Sequence, residues 1–196
     1  MSRRIVLMIA ALAVVAVGLG FYAFHLKKRF THDEQDVAEQ QIAPTPPTSG
    51  PPEQVTLYVA DDTDGTLRKM QLGVVLPPER SERDRAVLQA LMAQYLKSPS
   101  SHPVGSGAEI LQVFLLDDGT AVVDTSSSFA DAHPSGVLAE ELTIASLVVT
   151  LNANDSKVAR VKILVNGQER ETLAGHADLK RFYQASNIGA IVKDMQ

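Results

Sequence analysis

Ile110-Leu111-Gln112-Val113-Phe114-Leu115-Leu116-Asp117-Asp118-Gly119-Thr120-Ala121-Val122-Val123-Asp124 is the stretch on which the fold turns. Two runs of β-prone residues flank Asp-Asp-Gly, which bends a chain at low steric cost, so the segment reads as a hairpin. On its amino-terminal side, Val87/Leu88, Leu91/Met92 and Tyr95/Leu96 recur every four residues and paint one stripe of a helix. Ser81 followed by Asp84 is a capping-box-like start for that helix, and Ser98-Pro99 ends it. On the carboxyl-terminal side a second helix fits Gly136 to Leu151. Leu138, Leu142, Ala145 and Val149 lie on one face, with Ile144, Val148 and Leu151 beside it.

Further out, Val55, Leu57 and Val59 alternate with Thr56, Tyr58 and Ala60. Asp61-Asp62-Thr63-Asp64-Gly65 turns the chain, and Met70, Leu72, Val74 and Leu76 alternate again before Pro77-Pro78. Arg160 to Val165 is a strand, Asn166-Gly167 suits a type I′ turn, and Gln168 to Leu173 reads as the returning strand. The expected order is β-β-α-β-β-α-β-β. Helices separated by hairpins imply an α+β fold, a mainly antiparallel sheet with two helices on one face.

The chain has 196 residues, 45% of them hydrophobic and 21% charged, enough for one packed core. It has no cysteine, which excludes disulfides, thiolate metal sites and a thiol nucleophile. Residues 1–29 carry five basic side chains and no acidic one. The remaining residues carry 13 basic against 23 acidic, a net of −10 that phosphate backbones repel, so nucleic acid is not an expected partner.

Residues 5–24 contain no charge, and twenty residues at about 1.5 Å each span roughly 30 Å, a bilayer's hydrocarbon core. The run is longer than a secretory signal's, and Lys27-Lys28-Arg29 follows it where a cleavage site would need small residues. An uncleaved single-pass anchor over residues 1–29 is favoured over a cleaved signal. Basic residues on both flanks leave its orientation nearly tied. Residues 30–54 are polar and then proline-rich, a stiff spacer. The domain spans residues 55–183 and a tail spans 184–196.

Tests for chemistry return little. Aligning Gly65 with the turn glycine of a calcium loop puts Ala60 and Gln71 where carboxylates are needed. Ser126, Ser127, Ser128, Asp131 and His133 lack a Gly-x-Ser-x-Gly elbow and read as groups that bond local backbone where a strand ends. The five histidines show no metal-ligand spacing, and no phosphate-cradling glycine motif occurs, so no metal or cofactor is expected. Aromatics are 5% and tryptophan is absent, against a carbohydrate platform. His176 could face a ligand; the preferred reading is that it bonds a backbone carbonyl and pins the last segment, with Gly175 allowing a tight bend.

The run Ala121-Val122-Val123-Asp124-Thr125-Ser126-Ser127-Ser128-Phe129 resembles the strand-and-exit signature of the GerMN domain of sporulation and spore germination. Its companions follow in order: Gly136 and Glu140 opening a helix that ends Leu147-Val148-Val149-Thr150-Leu151, then Val161-Lys162-Ile163-Leu164-Val165-Asn166-Gly167, then Gly175-His176-Ala177-Asp178-Leu179. The resemblance implies an extracytoplasmic, membrane-tethered and non-catalytic module that binds envelope proteins and could form homo-oligomers. It departs from lipoprotein members in having no cysteine. The motif positions it marks are Asp124, Ser126, Glu140, Gly167, Gly175 and His176. Edge strands left open by a small antiparallel sheet would be one route to partners. The alternative is a small-ligand or peptidoglycan-fragment binder, or a weak envelope hydrolase, using His176 and Ser126–Ser128.

Overall fold

In the computed structural model of the chain, residues 50–188 are described, and they fall within one compact unit, Thr48–Gln196. The expected anchor and most of the proline-rich spacer lie outside the described residues, as do residues 189–196 of the tail. Among the described residues no helix is long and apolar enough to cross a membrane.

β1 (Glu53–Asp61) and β2 (Thr66–Val74) form an antiparallel pair, its register running from Glu53 opposite Val74 to Asp61 opposite Thr66. α1 (Arg80–Tyr95) buries Val87, Leu88, Leu91, Met92 and Tyr95, the stripe read from the sequence. Its cap is Glu79, not Ser81: the Glu79 carboxylate accepts from the Glu82 amide and the Ser81 hydroxyl. The helix starts two residues earlier than its pattern suggests, and Asp84, three and four residues before Val87 and Leu88, falls on the buried stripe.

β3 (Ile110–Leu115) and β4 (Thr120–Thr125) are the expected hairpin, with a bulge between Ile110 and Gln112. Two elements follow in place of one helix: a short α2 (Ser127–Asp131) and the long α3 (Val137–Asn154). β5 (Arg160–Val165) then pairs parallel with β4. The helix expected between β4 and β5 is present as a crossover, and it makes this pair parallel where a mainly antiparallel sheet was expected. β6 (Tyr183–Gln184) closes a four-stranded mixed sheet in the order β3-β4-β5-β6. The class is α+β, with two sheets instead of one.

Gln168 to Leu173 is not a strand. Asn166 and Gly167 take the paired positive φ values, 49° and 69°, that a type I′ turn needs. Yet only Val165 and Gln168 pair before the chain leaves. Both edges of β5 are claimed, one by β4 and the far end of the other by β6. Residues 168–182 instead form a loop held by two opposite charges. The buried Glu140 carboxylate takes its amides, and Lys162 Nζ donates to the carbonyls of Leu179 and Lys180 at 2.9 and 2.8 Å. Leu173, Ala177 and Leu179 are thereby driven into the core.

Of the face expected to point inward, α3 buries Leu142, and it otherwise turns in the residues expected beside that face. Ile144, Leu147, Val148 and Leu151 are buried with the polar Thr143, Ser146 and Thr150, whereas Leu138 is exposed and Ala145 and Val149 are half-buried. The buried hydroxyls have work on β1. Even-numbered amides on the edge of β1 that β2 does not pair are met by side chains: Thr56 by Asn154 Oδ1, Tyr58 by Thr150 Oγ1 and Ala60 by the Tyr95 hydroxyl, each at 3.0 Å. The edge expected to stand open is sealed at these positions.

Candidate functional site

Glu140 lies in the first turn of α3, and its side chain is fully buried. Its Oε2 accepts from the amides of Ala174, His176 and Ala177 at 3.0, 2.9 and 2.9 Å. Its Oε1 accepts from the Gly136 amide at 3.1 Å and from His176 Nδ1 at 2.8 Å. Burial would push this carboxyl up, but the His176 ring and the three loop amides outweigh it and hold it down at about 2. Gly175, at φ 124°, provides the backbone that turns successive amides toward one acceptor. Glu140, Gly175 and His176 are thus one constellation built from residues 36 positions apart. His176 bonds the carboxylate instead of the backbone carbonyl expected, and its ring remains partly exposed.

The other marked positions form a second group at the exit of β4. Asp124 Oδ1 accepts from the Gly167 amide at 2.7 Å, tying the β5 turn to β4. Ser126 caps α2, its Oγ accepting from the Phe129 amide at 3.3 Å and the Glu109 amide at 3.0 Å while donating to the Gly107 carbonyl at 2.8 Å. His133 and Asp131 do not join Ser126 in a hydrolase geometry. Asp131 pairs with Arg170, and His133 turns inward.

A third cluster carries no sequence signal of its own. The Thr143 hydroxyl, wholly buried in α3, lies 2.6 Å from His102 Nε2 and 2.7 Å from His133 Nε2. His102 Nδ1 lies 2.6 Å from Asp62 Oδ1, and His133 Nδ1 lies 2.7 Å from the Pro134 carbonyl. An acid, an imidazole and a hydroxyl in line invite comparison with a catalytic triad. Here Thr143 is 0% and His102 1% exposed, so no substrate atom can reach the hydroxyl.

Beside the Glu140 cluster a groove of about 350 Å³ opens between the β1–β2 turn, α3 and the segment around β6. Leu67, Leu138, Leu142, Phe182, Tyr183 and Ile188 supply most of its apolar wall. Glu141 and Arg181, paired across it, supply the polar part. Leu138 is 53% and Phe182 49% exposed, two large apolar side chains that share one open groove. Among the described residues no group of three or more acidic or imidazole side chains is arranged to hold a metal ion.

These elements are the frame of a known family. The Germane family, described as sporulation and spore germination, matches residues 56–171, and the chain belongs to it. The fold is similar to that of the tandem GerMN domains of the sporulation protein GerM from Bacillus subtilis, at 21% identity and a TM-score of 0.50 over 65% of this chain and 44% of that one. The first GerMN domain of the same protein aligns at 20% identity and a TM-score of 0.49, over 65% of this chain and 92% of that one. A putative lipoprotein from Clostridium perfringens aligns at 18% identity and 0.42, over 71% and 91%. The chain spans less than half the length of the tandem-domain structure. No curated protein matches it in sequence.

Proposed function

We propose that the chain is a membrane-tethered, extracytoplasmic and non-catalytic binding module of the cell envelope, acting in sporulation or germination by recruiting or scaffolding envelope proteins. One observation carries this reading. The polar side chains that could do chemistry are spent on the fold, while large apolar side chains line an open groove. Glu140 is saturated by five donors, Ser126 is engaged three times and Thr143 is sealed in the core. Leu138 and Phe182 are left facing out. Family membership supports the process, and the uncharged residues 5–24 support the tether.

The test is site-specific photocrosslinking in cells, with the crosslinker at Leu138 or Phe182 and, as control, at the exposed Gln54 on the opposite end of β1. The expected result is one and the same envelope protein captured from both groove positions and not from Gln54. Equal capture from all three positions, or turnover of a natural compound by the purified full chain, overturns the reading. The groove's volume also favours a second reading, a small-ligand or peptidoglycan-fragment site. A thermal shift with such fragments that Leu138→Asp abolishes, without any protein crosslink, would select it.

A further inference from the structure

The two edges of the β1–β2 pair are treated unequally. The amides of Thr56, Tyr58 and Ala60 face away from β2 and are met by side chains. Their partners across the ladder are Gln71, Lys69 and Leu67, so in antiparallel geometry these residues, with Gly73 opposite Gln54, turn their own amides and carbonyls away from β1. β2 pairs with β1 alone, and among the described residues none of these amides and carbonyls takes part in a hydrogen bond. Lys69, Gln71 and Gly73 are exposed. The register runs unbroken over all nine residues of β2, with no bulge and no proline to blunt the edge. A row of donors and acceptors at two-residue spacing fits one kind of occupant, another extended backbone.

We propose that this occupant is β2 of a second copy of the chain, joined antiparallel about a two-fold axis at Met70 into a sheet continuous across two chains. The pattern of the strand carries the choice. Outward residues must meet outward residues, so Lys69 pairs with the partner's Gln71 and Leu67 with the partner's Gly73, and every free amide and carbonyl of the edge is used. Moving the axis to Arg68 or Lys69 sets like charges directly opposite each other and leaves Gly73 unpaired, and moving it to Gln71 leaves Leu67 unpaired. At the axis Met70 meets the partner's Met70, with Leu72 on the same face, and both side chains are only half-buried in the single chain. Lys69, a charge that would ordinarily discourage edge pairing, is set against a neutral amide, while Arg68 is held by Asp61 at 2.9 Å and by Asp64. The contact is isologous, so it closes at two copies. It differs in kind from the apolar groove, since main-chain pairing supplies it and the strand's own length fixes its register.

The chain has no cysteine, so single introduced thiols read the seam without background. At a non-hydrogen-bonded antiparallel pair the facing Cα atoms lie about 4.5 Å apart, within a disulfide's reach. Met70→Cys, in cells producing the full chain and treated with a copper–phenanthroline oxidant, is expected to give an adduct of two copies, and Gln54→Cys on exposed β1 none. Gln71→Pro removes an outward amide that β1 does not use, a change that an edge strand tolerates. Added to Met70→Cys, it should abolish the adduct and leave the unfolding midpoint of the chain near that of its parent. Register is read separately, without proline, from copies carrying Lys69→Cys and copies carrying Gln71→Cys, which should join when produced together and not when either is produced alone. No adduct at Met70, an equal adduct at Gln54, or an adduct that survives Gln71→Pro overturns the proposal. So does a Met70→Cys adduct with a different protein, which would give the edge to a foreign strand, and so do thiols at 69 or 71 that join as readily alone as together. If Gln71→Pro fails to fold, the register pair alone decides.

Discussion

Two buried carboxylates, Glu140 near the start of α3 and Asp84 in α1, share a chemistry and meet opposite fates. Burial raises both. Glu140 then gains five donors and is held down at about 2. Asp84 has one oxygen, Oδ2, with no hydrogen-bond partner. Burial first, then the charge of Asp155 and a proton shared with it, push it up to about 7 against the pull of Arg80 and Arg83. The number of aimed donors, not the depth of burial, decides whether a helix can carry a charge into this core. The Glu140 region is where the fold uses a charge as a fastener, and the Asp84 region is where it tolerates one.

The sharpest break of that contrast is Glu140→Ala. It strands the amides of Ala174, His176 and Ala177 with no acceptor and frees the loop over 168–182. The expected loss is about 3–5 kcal/mol, checked by urea unfolding of the full chain, with new protease cleavage confined to that loop. The pH sign follows from a folded value of about 2 lying below the unfolded one. The stabilisation is present above about pH 4 and is lost as the pH falls toward about 2. Glu140→Gln should flatten that acid limb while costing less than alanine.

Asp84→Asn should act the other way and less strongly. The folded value lies above the unfolded one, so the penalty is absent below about pH 4 and grows as the pH rises to about 7. The variant is expected to gain about 1–3 kcal/mol at mildly alkaline pH and nothing in acid, read from denaturation midpoints across the range. A variant less stable than the parent at alkaline pH and equal to it in acid would show instead that Asp84 is held charged by its arginines.

Why the sequence disclosed one half of this contrast and not the other is a matter of range. Hairpins announce themselves within a few residues, as Asp61–Gly65 and Asp117–Gly119 did, and so does the α1 stripe. Asn166-Gly167 announced its turn correctly, but where the chain went next depended on Glu140 and Lys162, which no local pattern connects to residues 174–180. The same holds for β4 and β5, whose parallel pairing is set by a crossover helix. His176 and Gly175 drew attention as residues, but Glu140 was marked only through resemblance to a family, since 36 residues separate the carboxylate from the ring it bonds. Asp62 was read as part of a turn and His133 as a local backbone partner, and their convergence with His102 and Thr143 has no sequence spacing to reveal it. Asp84 was misread as a helix-start residue because three-residue spacing from Ser81 imitates a cap.

The sealed β1 edge extends the comparison to neutral groups. Tyr95→Phe removes one acceptor from the Ala60 amide and should cost about 1–2 kcal/mol, whereas Asn154→Ala uncovers both the amide and the carbonyl of Thr56 at the more exposed end. If edge sealing matters for solubility, the asparagine variant self-associates more than the tyrosine variant although it is the less destabilised of the two. Light scattering at matched folded fraction separates these outcomes, and equal association would assign these bonds to stability alone.

The smallest expected effect is at Ser126. Its hydroxyl caps only the five-residue α2, and the chain there is already fixed by the Ser126 amide donating to the Glu109 carbonyl at 3.0 Å. Ser126→Ala should cost about 1 kcal/mol with no change in any binding measured at the groove. A larger loss would mean that the Gly107 and Glu109 contacts, not the helix cap, are what the hydroxyl serves. Ser126→Asp decides between them: a carboxylate still accepts from the Phe129 and Glu109 amides but cannot donate to the Gly107 carbonyl, so recovery of stability would assign the role to the cap and failure to recover would assign it to the loop.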